Sequence, residues 1–509
     1  MNFSRRTLLQ IATASTASFM FGTRFATAQA SKTLRIGLST YPAHLRPWIL
    51  VGYSGHMVSS LINRNLINYD PSGQLVGELA ESWTSESPTT WLFKLRAAMF
   101  HDGSPVTAED VRWTFEQIAA DNSGAYMYDG VKKITGFEVV DDLTFRLTTE
   151  APMATLPSLM TYPFFSILKA GSTDAEDQGT GAGPYRIVSA EKGVGIELEP
   201  NEHYFKEGLP HLQSILITPY VDENARVAAL TAGDVDLIDY VPWSAMKQIE
   251  ANSALALDKV DSGAFMFLTF NGSGPFKDAR LRQAVAFALK RNEFVESVFF
   301  GYGAEMRGIP RASGSPFWNE EQANYWGYDP DKARALLKEA GYETGLKVQL
   351  LATSQYTMHR DTAVLVQSHL AEVGIEVELN MPDWATRVAL GTRGAGDFAV
   401  QGFGLDSLDP DGAVSIMDPA LSHAYSRSRD IEAPGLSDLL AQGRGEFDEA
   451  KRVEIYRAAD QIALDNTTMC GVAYRATGFG RSAAVTPLAM LPDQLSPFSS
   501  VLFDKIDIA

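Results

Sequence analysis

An α/β protein of two or three domains is what this sequence predicts, on three observations. Its 509 residues are too many for a single hydrophobic core. Short strands with period-two alternation recur between segments of helical period, the pattern of α/β layers. The composition, 45% apolar and 21% charged, is that of a chain that folds over most of its length. Its 41 Gly and 24 Pro are scattered, so no linker or low-complexity tract separates the domains by composition.

The elements follow in order. Leu34, Ile36 and Leu38 alternate with Thr33, Arg35 and Gly37, which reads as a strand running into a loop with Pro42 and Pro47. Thr107-Ala108-Glu109-Asp110 is a capping box that opens a helix burying Val111, Phe115 and Ile118. Asp278 to Phe299 places apolar residues at Leu281, Val285, Leu289, Val295, Val298 and Phe299, which predicts one long buried helix. Asp329-Pro330 starts a further helix that Gly341 closes. Strands are expected at Ile215–Thr218, Phe265–Phe270, Lys347–Leu351 and Ile375–Leu379, with a helix from about Arg360 to Val373 between the last two. In such layers ligands sit at loops beyond the strand ends, often between domains.

The first 30 residues have a different character. Arg5 and Arg6 precede an apolar stretch from Leu8 to Phe21, and Ala28-Gln29-Ala30 offers a small-residue cleavage site, so residues 1–30 read as an export signal. Ser4-Arg5-Arg6-Thr7-Leu8-Leu9 further resembles a twin-arginine signal. The segment holds no cysteine for a lipid anchor, so the expected product is exported and soluble. The single cysteine, Cys470, excludes an intramolecular disulfide and reads as a small buried apolar residue. Removing Arg5, Arg6 and Arg24 takes the net charge from −19 to −22, which argues against nucleic acid or an anionic membrane as partner.

Catalytic and metal chemistries find little support. Ser407, Asp409, Asp411, Gly412 and Asp418 follow calcium-loop spacing only loosely, and Pro410 and the terminal Asp count against it. The eight histidines form no close zinc-type pair, and His56 breaks the nucleophile-elbow pattern at Gly52-Tyr53-Ser54-Gly55. No metal, no cofactor and no catalytic residue is therefore expected. A secreted hydrolase stays open only as a reading that lacks its nucleophile–base pair.

A set of longer motifs carries a resemblance. They are Gly77-Glu78-Leu79-Ala80-Glu81-Ser82-Trp83, Phe93-Lys94-Leu95-Arg96, and Phe100-His101-Asp102-Gly103-Ser104-Pro105-Val106-Thr107-Ala108-Glu109-Asp110-Val111. Gly181-Ala182-Gly183-Pro184-Tyr185, Arg226-Val227-Ala228-Ala229-Leu230, Gly233-Asp234-Val235-Asp236 and Tyr328-Asp329-Pro330-Asp331-Lys332-Ala333 follow. Over nearly the whole mature chain this resembles the bacterial extracellular solute-binding proteins of family 5, which serve dipeptide, oligopeptide and nickel ABC importers. Ala97-Ala98 departs from the Asp-Gly common in relatives.

The resemblance implies a two-lobed periplasmic binding protein type 2 fold with an additional domain on the first lobe. Lobe one would be 31–266 plus 479–509, with the extra domain at about 56–182, and lobe two 267–478. It implies a monomeric periplasmic receptor, not an enzyme, that delivers a small-molecule or peptide ligand to the permease subunits of an ABC transporter. A di- or oligopeptide or similar small zwitterion is the leading ligand. A glycoside, an opine-like conjugate or a metal chelate remain alternatives, because function lies in the cleft rather than the fold.

Three segments would face that cleft: the loop with Tyr41 and His44, the helix start at Arg360 with Trp384 nearby, and the run with Phe403, Asp406 and Ser407. By the resemblance, Asp406 pairs with a ligand ammonium and Arg360 with its carboxylate. A zwitterion leaving water needs a fixed partner for each charge. Tyr41, Trp384 and Phe403 would supply adaptable walls. Asp409 is read as part of a solvated acidic turn that does not touch the ligand.

Overall fold

Two long antiparallel strands, Leu255–Phe270 and Cys470–Ser482, organise the molecule. The computed structural model describes residues 32–42, 44–49, 53–121, 123, 125, 128–173, 179–405, 407–421, 426–491 and 503–509. The export signal and Asp406 lie outside these residues.

Both long strands belong to one 11-stranded mixed sheet. Toward one side, Cys470–Ser482 pairs with the short strand Leu237–Ile238, then come Thr33–Leu38, Ser214–Pro219, Gly195–Pro200 and Tyr185–Glu191. Toward the other, Leu255–Phe270 pairs with Phe398–Phe403, followed by Leu346–Leu351 and Ile375–Asn380. The last two are parallel and joined by the helix Thr357–Glu372, the crossover that parallel strands require. The register of the long strands slips between Val260 and Ala264, where the chain passes from one half of the sheet to the other. Two lobes share a sheet through this crossing.

A separate four-stranded antiparallel sheet, Ala80–Ser87, Thr90–Leu95, Thr144–Thr149 and Ile134–Asp141, carries the helix Ala108–Ala119 on its inner face. Phe93, Phe100, Val111, Phe115, Phe145 and Ile118 fill that core. The Asp110 carboxylate accepts from the Thr107 amide at 2.8 Å and from the Ala170 amide at 2.8 Å, so the cap also ties down a distant turn. The His101-Asp102-Gly103 turn is structural: Asp102 accepts from the Ser104 amide at 3.0 Å, and the His101 amide donates to Gly181 O at 2.9 Å. Gly181 and Gly183 lie so close to the Ile62 backbone that any Cβ there would sit about 2.2–2.3 Å from it.

The capped helices and the strand positions match the sequence reading, with two differences. The expected long helix from Asp278 is broken into Ala279–Ala288 and Arg291–Ser297. The break lets the buried Arg291 donate to the carbonyls of Met306, Gly471 and Trp326 at 2.8, 2.9 and 2.7 Å. The strand expected at Phe265–Phe270 begins ten residues earlier, at Leu255. Cys470 is fully buried against Arg291, and burial pushes its thiol up to about 11, so it stays protonated.

Candidate functional site

The lobe crossing gathers aromatic rings and buried polar groups from both sides. On the first lobe, Asp239-Tyr240 follows the short strand Leu237–Ile238. Buried Arg226 fixes this turn, donating to Asp239 O at 3.2 Å, Tyr240 O at 2.9 Å and Tyr220 O at 2.8 Å. The Asp239 carboxylate accepts from the Ser39 amide at 2.6 Å and the Ser54 hydroxyl at 2.8 Å. Burial pushes that carboxyl upward, against the pull of Arg226. So clamped, Tyr240 adopts φ +47, a left-handed conformation that a bulky residue takes only where its surroundings impose it.

Tyr240 reaches across to the second lobe. Its hydroxyl donates to Met358 Sδ at 3.1 Å and accepts from Arg475 Nη1 at 3.1 Å. Arg475 lies on the long strand Cys470–Ser482, opposite Ala264 where the register slips. Its guanidinium stands 5.9 Å from the Tyr240 ring centre and 5.6 Å from that of Trp243.

The second lobe adds a polar layer beneath an aromatic wall. His359, on the inner face of the helix Thr357–Glu372, is 5.6 Å from Trp384 and 6.2 Å from Tyr356. Burial and the positive fields of Arg387 and Arg475 hold its imidazole down at about 3, so it is neutral. Arg387 donates to Val400 O at 2.5 Å and Gln401 Oε1 at 2.6 Å, and Gln401 in turn donates to Thr269 at 3.0 Å. The Arg387 guanidinium also lies 5.4 Å from the Trp384 ring. A Cβ at Gly402 would come within 3.3 Å of His359 Nε2, so a glycine there lets strand and helix approach.

The expected site residues are distributed as follows. Trp384 is half-buried in this wall, 5.3 Å from Tyr356. Phe403 is half-buried 6.2 Å from Phe265, which stands 6.2 Å from Tyr474 at the crossing. Ser407 is buried, its hydroxyl 3.1 Å from that of Tyr69 on the first-lobe side. Tyr41 is half-buried against the first-lobe core, where burial raises its phenol, and His44 is exposed. Arg360 is exposed and paired with its neighbour Asp361 at 2.7 Å, while Met358 and His359 beside it point inward. Arg475, Tyr240, His359, Arg387 and Gln401 were missed by the sequence reading. The one available signal was that Tyr474 and Arg475 lie just before residue 479, where the expected second lobe gives way to the first.

The acidic run after Ser407 is not a solvated turn. Asp409 and Asp411 have side chains only 12% and 17% exposed, paired with Arg452 at 2.9 Å and Arg444 at 2.9 Å. Tyr456 donates a further hydrogen bond to Asp411 at 3.1 Å. Arg311, paired in the interior with Asp460 at 2.7 Å, donates to Pro410 O at 2.7 Å. These carboxylates are committed to guanidinium groups. No cluster of potential metal ligands occurs among the described residues, and no described helix is long and apolar enough to cross a membrane.

Comparison with known proteins places this architecture. Residues 74–420 match the family model described as bacterial extracellular solute-binding proteins, family 5 Middle. The glutathione-binding protein GsiB of Pectobacterium atrosepticum is 26% identical over 487 residues, covering 92% of this chain and 94% of that protein. The solved structure of the periplasmic binding protein AgaA from A. tumefaciens R10, in complex with agropinic acid, is 34% identical with a TM-score of 0.87. That match covers 94% of this chain and 99% of AgaA. DppA of Helicobacter pylori, solved with the peptide STSA, superposes with a TM-score of 0.81 at 21% identity over 94% of this chain and 98% of DppA. Members of this group are binding receptors of ABC importers, not enzymes. The chain is a member of the bacterial extracellular solute-binding proteins of family 5.

Proposed function

We propose that this receptor captures a small zwitterion derived from amino acids, a short peptide or an opine-like conjugate, between its lobes and presents it to an ABC permease in the periplasm. The observation that carries this reading is the lobe crossing itself. Tyr240, Trp243, Tyr356, Trp384, Phe403 and Tyr474 line it with rings, and cationic side chains lie beneath. Rings bury varied side chains without demanding one shape, and fixed charges set the ligand's orientation. The agropinic acid complex of a 34% identical relative supports an acid-bearing ligand. In this reading lobe one is 31–266 plus 479–509 with the extra domain at about 56–182, and lobe two is 267–478. Asp406 holds the ammonium, and export uses the twin-arginine route.

The two lobes close around the ligand by bending at the Val260–Ala264 slip. Calorimetric titration with agropinic acid, glutathione and the dipeptide Met-Leu tests the ligand class. One of the three binds with 1:1 stoichiometry, and small-angle scattering shows a smaller radius of gyration when it is saturating. Absence of binding for all three sinks the ligand class.

A further inference from the structure

Several buried arginines share one pattern, and Arg475 departs from it. Arg226, Arg282 and Arg291 are each about 1% exposed, and each spends its N–H groups on backbone carbonyls. Arg311 has the Asp460 carboxylate and a carbonyl. Arg475 is 6% exposed, yet its one hydrogen bond among the described residues goes to the neutral Tyr240 hydroxyl. Its Nε is buried without an acceptor, and no carboxylate pairs with it among the described residues. The Tyr240 and Trp243 rings face it, but ring faces replace only part of the lost hydration. Burying a guanidinium without a counter-charge is expensive, and the cost is tolerated where a ligand completes the site.

Its position explains why the fold leaves this cation unmatched. Arg475 sits on a strand shared by both lobes, opposite Ala264 at the register slip. The Tyr240 hydroxyl that it contacts also bonds Met358 of the second lobe, so both lobes converge on this side chain. Tyr240 is held in its strained conformation by Arg226, which fixes its hydroxyl against the guanidinium. The hydroxyl gives its single proton to sulfur, so toward Nη1 it acts as a neutral acceptor.

Resting on the reading of this protein as a receptor for a small zwitterion, we propose that Arg475 is the seat of the ligand's carboxylate. A planar carboxylate meets the guanidinium through Nε and Nη2, which hold no hydrogen-bond partner among the described residues, in the fork geometry that two parallel N–H···O bonds require. The exposed Arg360, already paired with Asp361, is not that seat. The anchor therefore lies on the segment that bends as the lobes move, so carboxylate binding favours the closed form by differential contact. Both a peptide C-terminus and a sugar-derived acid present this chemistry.

The test uses the full mature protein, with agropinic acid, glutathione and Met-Leu as probes in calorimetric titration. Whichever probe binds the wild type loses about 30-fold or more in Arg475→Met, the scale for leaving one charge of a buried pair unpartnered. Arg475→Lys, which keeps the charge but not the fork, loses less than Arg475→Met. Blocking the probe's carboxylate as its methyl ester costs the wild type a comparable factor and costs Arg475→Met almost nothing more, and this coupling is the signature of direct contact. Thermal melts without ligand verify that each variant is folded, and Arg475→Lys alone carries the test if Arg475→Met does not fold. Affinity within 3-fold of wild type in a folded Arg475→Met, an undiminished ester penalty in that variant, or the whole loss appearing instead in Arg360→Met would overturn the assignment. A wild type that binds none of the three probes refutes the ligand class itself, a separate failure. Which probe binds tells a peptide carboxylate from a sugar-derived one.

Discussion

Asp460→Ala is the perturbation whose size the structure specifies best. Arg311 and Asp460 have side chains 6% and 3% exposed and meet through two N–H···O bonds, at 3.0 and 2.7 Å. The third arm of the guanidinium supports Pro410 O at 2.7 Å, two residues beyond Leu408 in the segment that carries Ser407. Removing the carboxylate breaks a buried ion pair on one side only, which costs about 3–5 kcal/mol. For a folding unit of about 150–250 residues, 1 kcal/mol moves the melting temperature by about 2–4 °C, so a drop of roughly 6–20 °C is expected. Scanning calorimetry of the ligand-free protein measures it. Arg311→Met with Asp460→Leu removes both charges, and such replacements recover most of the stability. A single variant within 2 °C of wild type, or a double variant no better than the single, would mean that the pair does not hold the interior together in this way.

Three further outcomes are expected. His56 and His359 are held at about 3, and His101 at about 4, in each case first by burial. The unfolded chain takes up these protons first, near pH 6.5, so stability is full above that value. It falls as pH drops toward 4, by up to about 1.4 kcal/mol per unit for each histidine. Melting curves at pH 7 and pH 5 check this, and His359→Gln should flatten the dependence. Asp406→Asn should weaken binding of the probe that titrates the wild type by about 30-fold or more while leaving the ligand-free melting temperature unchanged. Asp438→Asn on an exposed helix face is the charge control, because Asp409 is committed to Arg452. Replacing Arg5 and Arg6 by Lys should leave precursor in the cytoplasm, and normal periplasmic yield would remove the twin-arginine route.

Local signals in the sequence were reliable where local physics decides the structure. The Thr107–Asp110 box and the Asp329-Pro330 start open helices because cap and first turn lie within four residues of each other. The strand Ile375–Asn380 alternates because only one of its faces is buried. What was not legible depends on partners far along the chain. The run after Ser407 looks like a solvated turn until Arg444 and Arg452, 33 and 43 residues further on, close over Asp411 and Asp409. The break before Arg291 follows from carbonyls 15 and 180 residues away that its guanidinium must reach. Leu255–Asp261 shows no clean alternation, so the first half of the long strand reads as loop until its partner Cys470–Ser482 is in place. Arg475 itself is one basic residue on a buried strand, and only the contacts around it distinguish it from a surface charge.

Native mass spectrometry of the protein isolated from the periplasm, without dialysis, reads the captured solute itself. The expected spectrum shows a 1:1 adduct of one small solute that carries an esterifiable carboxyl group and is released on unfolding. A bare protein that gains no adduct from the extract, from agropinic acid, from glutathione or from Met-Leu would contradict it.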